Sequence, residues 1–587
     1  MSKVYFYELI VKTKTKGLDV FTYKSELFLP KFTLVEVDFN KRKVLGLVLK
    51  KLLRPNFDPK RIKEIIRVIG YSSLLDDQSL ELAQFASNYY YTSFSKVVFW
   101  ALPKIARRLA QKNLLQKEQN KISAATPTPV IPARPQRFAQ QFGQAQTGIH
   151  KAGKPLFLQA DIWQRLDYFK KEIKKSLDQG KQVLLLAPNL ESFLVKDLVK
   201  EFLHFIISNK GKISECYQLW QKVSLLRQPA LIIGSQKALF LPFKNLDKIL
   251  VEDEGNPSFK QEQDPKIEVS HLSKELAKIR GAKLILASLV PKPETYLEIK
   301  KKKISFKSLL GKEQVSIADL AKESRLLAFS TEIALKKILD KNKKAIIFFN
   351  RLGLARLSLC PDCGFSIDSC AKNSNFAICP ICSSVKIKSH SFGLERMVYD
   401  LKKIFPQSKI ADLSKVSFTS KVEDITVATS FAFKFKQKLN LAVLGLAEIG
   451  LSLADPQISY KIFHFSLEAL SRGEKKILQT FSFHHPLMQA ITHFSIREFY
   501  NFWFSIRKDF KLYPYYKNIR LDPLEKNGFL KIEKELLKIK EFDAFYKLQG
   551  EKGEYFLLSF KGGKEQEKKL RQALLKLPTK ITVNPLL

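Results

Sequence analysis

A chain of 587 residues exceeds what one hydrophobic core serves, and at about one domain per ~150 residues it should hold several. Lysine and arginine number 100 against 57 acidic residues, a net charge of +43; such an excess attracts polyanions whatever the fold and puts nucleic acid first among partners. Codon usage in an A- and T-rich genome also enriches Lys and Phe, so charge alone does not settle the matter. The opening residues mix Lys, Glu and Tyr, and apolar runs such as Val183–Ala187 fall far short of the ~20 residues that span lipid. The chain reads as soluble and cytoplasmic.

Residues 4–50 alternate in a β-rich manner, with Val35–Phe39 and Leu45–Leu49 flanking the basic turn Asn40-Lys41-Arg42-Lys43. Leu80, Leu82, Phe85, Ala86 and Tyr89 then fall at helical spacing, and Ala101-Leu102-Pro103 closes a first domain assigned to residues 1–110. Residues 111–154 are rich in Gln, Ala, Pro and Thr and read as a flexible linker. From Pro155 to about Thr480, short apolar runs (Val183–Leu186, Ala230–Ile233, Ile249–Val251, Leu284–Leu286, Ala345–Phe349, Ile425–Ala428, Leu441–Leu446) alternate with helical stretches, which predicts parallel α/β sheets. Residues 481–587 hold helical stretches at Ile496–Phe510, Leu530–Lys540 and Gln566–Leu577 around a strand at Tyr555–Phe560, a small α+β domain.

Six cysteines are too few for a disulfide scaffold in so long a chain. Four of them form two C-x-x-C knuckles, Cys360/Cys363 and Cys379/Cys382, the pattern of a closed tetrahedral zinc site whose role is to hold a finger. Cys370 and Cys216 lack such a partner and read as buried apolar thiols.

Several marks in order along the chain resemble the PriA family of bacterial primosomal helicases: Phe21-Thr22-Tyr23, Leu80–Tyr91, Gly234–Phe243, Phe259–Glu262, Asn350–Gly353, Gly393–Arg396, Leu451–Leu453 and His485-Pro486. The resemblance implies a 3′-end DNA-binding domain followed by two RecA-like lobes, residues 155–325 and 326–480, with a zinc-binding segment at 360–389 inserted in the second. It also shows what is missing. A phosphate-binding loop needs glycines, then Lys and Ser/Thr, but the equivalent Gln159–Asp167 is bulky and puts Arg165 and Leu166 at the Lys and Thr positions. The family's Asp-Glu-Glu-His box reads Glu252-Asp253-Glu254-Gly255. Its Gly-Ser-Ala-Thr-Pro motif is Ala287–Pro291, and of its twin arginines Arg472 remains while Ala469 stands at the other position. Loss of an arginine finger alone typically costs about 10³–10⁵ in rate, so ATP and magnesium are not expected as working cofactors and zinc is. In the family's Phe-Asp-Tyr triplet the acid faces the 3′ terminus; here it is Thr22.

These features together point to a replication-restart protein of the bacterial nucleoid that binds forked, single-stranded or 3′-ended DNA without hydrolysing ATP. Lys41, Arg42 and Lys43 would neutralise phosphate, with Phe21 and Tyr23 stacking on bases and Thr22 at the terminal hydroxyl. A solvated turn for the three cations, and core packing for at least one of the two rings, are the plainer alternatives. Two other functions stay open: an active 3′-to-5′ helicase with diverged motifs, and a scaffold for replication-restart partners such as the replicative helicase or its loader.

Overall fold

The computed structural model describes residues 4–12, 20–55, 58–70, 74–90, 92–103, 153–208, 212–261, 263, 265–323, 325–349, 354–359, 366–368, 378, 382–385, 388–413, 422–436, 438–448, 451, 457–523, 528–539, 542–550, 553–575 and 581–586. The expected linker as far as residue 152, Asn350–Gly353, Cys360, Cys363, Cys370 and Cys379 lie outside them.

The first unit is a five-stranded antiparallel sheet in the order Val20–Ser25, Tyr5–Val11, Arg42–Leu52, Leu34–Phe39, Ile65–Gly70. The hairpin that joins Leu34–Phe39 to Arg42–Leu52 turns on Asn40 and Lys41, at φ 48° and 60°, the left-handed pair that a two-residue hairpin turn requires to match the strand twist. Two helices, Asp77–Tyr89 and Phe94–Ala101, follow. Each opens on a side chain that accepts from the helix's own first-turn amides, Asp76 from Ser79 and Ser93 from Lys96.

These helices pack into the first parallel lobe rather than standing apart from it. Leu80, Leu82, Ala83, Val97 and Val98 share one buried cluster with Trp220, Phe240 and Leu272. Arg280 holds the Asp76 carboxylate with two 2.7 Å bonds, and the Trp220 indole donates to the Leu74 carbonyl at 2.9 Å. The small β domain is therefore fixed in attitude against the lobe.

That lobe is a seven-stranded parallel sheet: Ser305–Ser308, Leu156–Gln159, Lys283–Ser288, Leu246–Glu252, Gln182–Leu186, Leu231–Gly234, His204–Ile207. Helices cover both faces, which is why its strands are continuous apolar runs: Leu184 and Leu186 face one core, Val183 and Leu185 the other. The second lobe repeats the plan with six parallel strands, Ser316–Asp319, Gly473–Thr480, Leu439–Leu444, Ala345–Phe348, Ile425–Ala428, Ile410–Leu413. The helices Pro486–Thr492 and Ile496–Asp509 pack into this lobe's core through Leu487, Phe499, Tyr500 and Trp503. Beyond them, an antiparallel four-stranded sheet (Ala544–Gly550, Gly553–Phe560, Lys517–Pro523, Ile581–Leu586) forms its own core with the helices Gly528–Leu536 and Lys564–Leu575.

Between the strands of the second lobe, Leu354–Leu359, Ser366–Asp368 and Lys388–Gly393 form a separate small antiparallel sheet. No helix among the described residues is long and apolar enough to cross a membrane.

Candidate functional site

In the first lobe only Ala160 and Asp161 separate the strand Leu156–Gln159 from the helix Ile162–Asp178. Asp161 caps that helix, accepting from the amides of Trp163 at 3.0 Å and Gln164 at 2.9 Å, while Gln164 Oε1 accepts from the Asp161 amide at 3.0 Å. This reciprocal box occupies the first-turn N–H groups that would otherwise be open to an anion. The Gln164 amide nitrogen is tied in turn to the Leu309 carbonyl at 2.7 Å, so the turn is closed by its own side chains.

One turn on, Arg165 points into the seam between the lobes and is 1% exposed. There it meets the second lobe's helix Ile458–Leu470 and makes a bidentate pair with Glu468, at 2.9 and 3.3 Å. Four residues earlier, on the same helical face, His464 Nε2 lies 2.7 Å from Asp253 Oδ1. Asp253 also accepts from Asn256 at 2.8 Å and from the Ser288 hydroxyl at 3.1 Å, and lies 4.0 Å from Arg165. Its backbone is left-handed, φ 54°, which turns its carboxylate toward the seam. Next to it Gly255 is a steric necessity: a Cβ there would run into the Tyr460 hydroxyl and stand 2.8 Å from the His464 ring. The helix of the second lobe thus fills the space that a side chain at 255 would take.

Glu252 and Glu254 flank Asp253, both buried. Glu254 is held by the Thr295 hydroxyl. Arg472 donates to the Phe433 and Phe435 carbonyls at 2.9 and 3.1 Å and stands 5.3 Å from the Trp163 ring. Apolar contact completes the seam: Leu289 and Val290 of the first lobe belong to the second lobe's core, and Tyr296 stacks on Tyr500 at 4.0 Å.

Burial and charge set the ionisation of this cluster. Burial pushes Glu252 up to about 7 against the pull of Arg165. Burial alone would also raise Asp253 and lower His464, but each holds the other charged, so Asp253 falls below the usual carboxylate range and His464 rises above its own. Burial lowers Arg472 to about 10 despite Glu468. Asp253, His464 and Glu468 could also offer ligand atoms within 4.8 Å of one another. Both Glu468 oxygens already bind Arg165, however, so a cation would have to displace that guanidinium.

The expected DNA corner of the first domain is brought together in part. Phe21 packs edge-on against Phe39 at 4.8 Å, beside the hairpin that carries exposed Lys41, Arg42 and Lys43, with Thr22 half-buried on the same strand. Tyr23 is a correction: it is 4% exposed and donates its hydroxyl to the Asp38 carbonyl at 2.9 Å, so it offers no ring to a base. On the strand face it shares with Phe21, it sits inside the core that Phe21 only borders. Asp38 and Lys63, not singled out from sequence, join this corner as an ion pair at 2.9 Å. Of the expected zinc ligands, Cys382 is described and exposed.

Two outcomes follow for the seam. Arg165→Leu or Glu468→Leu strands a buried charge and should cost roughly 3–5 kcal/mol each, whereas the double variant should cost clearly less than their sum; additive losses in chemical denaturation would contradict the pairing. The second concerns pH. A raised Glu252 disfavours the folded form as pH climbs from its ordinary value of about 4.3 toward about 7. A raised His464 contributes fully below about 6.5 and less as pH passes its folded value. A lowered Asp253 loses its contribution only in acid. The thermal midpoint should therefore fall between about pH 6 and about pH 8, and Glu252→Gln should flatten that fall; a wild-type midpoint that rises over this interval would refute the assignment.

Comparison with known proteins agrees with this architecture. The family model of the PriA 3′DNA-binding domain (3′BD) matches residues 8–103. The replication restart protein PriA of Borreliella burgdorferi is 26% identical over 89% of this chain and 86% of its own length. That of Rickettsia conorii is 26% identical over 76% of this chain and 75% of its own, and that of Bacillus subtilis 23% identical over 60% and 51%. The chain is thus similar over most of its length to replication restart proteins PriA, and its residues 8–103 match the PriA 3′DNA-binding domain.

Proposed function

We propose that the chain acts in replication restart in the bacterial cytoplasm as a DNA-binding protein that recognises branched or 3′-ended DNA and does not turn over ATP. The observation that carries the first half is the 3′DNA-binding domain at residues 8–103, which keeps an aromatic ring at Phe21 and the Lys41–Lys43 hairpin at one exposed corner. The cations neutralise phosphates, Phe21 stacks on a terminal base, and the Thr22 hydroxyl serves as acceptor for a 3′ hydroxyl.

The second half rests on the seam. A nucleotide phosphate would need open backbone N–H groups and a free cation at the start of the helix Ile162–Asp178. Asp161 and Gln164 use those amides, and Arg165 is committed to Glu468. The remaining box, Glu252, Asp253 and Glu254, is buried among its own partners.

One structural zinc fits the same reading. In the sequence Cys360 and Cys363 come between the strands Leu354–Leu359 and Ser366–Asp368, and Cys379 and Cys382 between Ser366–Asp368 and Lys388–Gly393. Two C-x-x-C pairs at this spacing offer the four thiolates that a closed tetrahedral zinc site takes.

The direct test combines binding and turnover. Fork DNA with a free 3′ hydroxyl should bind with an affinity that falls linearly on a log–log salt plot, and Lys41→Glu/Arg42→Glu should reduce the slope by about 0.9 for each phosphate no longer neutralised. DNA should stimulate no ATP hydrolysis; hydrolysis that rises with added DNA and vanishes in Arg165→Ala would return the chain to the active helicases. Metal analysis of the purified protein should find one zinc per chain, and none or two would overturn the knuckle assignment.

A further inference from the structure

The outer edge of the first lobe carries a basic surface that no part of the seam or of the N-terminal corner uses. The strand Ser305–Ser308 is the last of its sheet and pairs on one side only, with Leu156–Gln159. The helix Pro293–Lys300 leads into it through Lys301, Lys302 and Lys303, all exposed. Lys302 sits just past the helix end at φ 55°, with its amide 2.9 Å from the Ile299 carbonyl and the Lys303 amide 2.8 Å from that of Glu298. That position is most often glycine, because a side chain is strained there. Here it is a lysine between two lysines.

Phe306 follows, 48% exposed, with its inner face stacked parallel on Phe157 at 6.2 Å. Strand alternation puts Lys307 on the opposite face, 5.2 Å from the Tyr168 ring. One and two turns along Tyr168's own helix come exposed Lys171 and Lys175. None of these six lysines has an ion-pair partner among the described residues. The carboxylates nearest in sequence are tied elsewhere: Glu298 to Lys274 at 2.6 Å and Glu172 to Lys248 at 3.0 Å. Protection of a bare sheet edge against strand addition explains a lysine at 307. It does not explain a three-lysine turn ahead of the strand, nor a large ring left open beside it.

We propose that this edge is a second DNA contact, which holds a single-stranded arm by its phosphates with Phe306 beneath one base. An aromatic platform beside a row of unneutralised lysines is the arrangement that single strands select, because each base has a stacking face and each phosphate a charge. A duplex has no free base for the Phe306 ring. The inference rests on the DNA-binding reading above and adds to it a place where the arm leading away from the 3′ end is held.

The test uses the full chain, with Lys301→Gln, Lys302→Gln, Lys303→Gln and Lys307→Gln combined and Phe306→Ala separately. Binding is read by fluorescence anisotropy on an oligothymidine strand, on a blunt duplex and on a fork with a free or phosphate-blocked 3′ end. The four-lysine variant should flatten the log–log salt slope on the single strand by about 0.7 for each phosphate it no longer neutralises, roughly 2–3 in all. It should leave duplex binding and the preference for a free 3′ hydroxyl intact. Phe306→Ala should weaken oligothymidine binding about tenfold. An unchanged slope on the single strand, or an equal loss on the blunt duplex, would overturn the proposal. Unchanged melting temperatures separate an altered surface from a damaged fold. Wild-type protein with no affinity for any of these DNAs would instead overturn the DNA-binding reading itself, and with it this one.

Discussion

A guanidinium and a carboxylate buried together between two lobes set the terms for everything around them. Arg165 and Glu468 come from helices of different lobes and are almost wholly out of water. Neither can stay there without the other, since an unpaired buried ion costs several kcal/mol. Their pairing adds little net stability over an apolar contact of the same size, because desolvation cancels most of the attraction. What it contributes is register: only one sliding position of the helix Ile458–Leu470 brings Glu468 to Arg165 and His464 to Asp253 together. The cohesion comes from the apolar part of the seam, Leu289, Val290 and the Tyr296–Tyr500 stack.

The same residues stand where the family resemblance calls for nucleotide chemistry, and the substitutions form a consistent set. A cation at 165 is matched by an acid at 468 across the seam. The missing side chain at Gly255 is matched by Tyr460 and His464 filling its volume. Each change would be costly alone. Glu252 Oε2, Glu254 Oε2, the hydroxyls of Tyr460 and Ser466 and the Nε atoms of Arg165 and Arg472 remain without a hydrogen-bond partner among the described residues, and there the seam is electrostatically weakest.

The lobes meet along this seam, and the N-terminal domain packs against the first of them. The Asp76–Arg280 pair and the Trp220–Leu74 bond fix the hairpin of Lys41–Lys43 relative to the first lobe.

Much of this was legible in the amino-acid order. Continuous apolar runs such as Val183–Leu186 announce strands covered on both faces, and they form parallel sheets; the two-period pattern of residues 34–49 announces the antiparallel domain. The lack of glycine between Gln159 and Asp167 was legible too, since a phosphate cradle's need for glycine is local to the backbone. Other features depend on which surfaces meet, and no local pattern encodes that. Arg165 and Glu468 are 303 residues apart, so the pair exists only once two sheets dock. Phe21 and Tyr23 share a strand face by period, yet Tyr23 alone is covered, because its hydroxyl finds the Asp38 carbonyl across the sheet. The lysines at 301–303 read as one more basic run in a chain full of them; what sets them apart is that folding draws Glu298 and Glu172 away to other partners and leaves Phe306 at an uncovered edge. Composition determined that this chain would carry excess positive charge, and tertiary structure decided where that charge is left unpaired, because pairing is settled by distance in space and not along the chain.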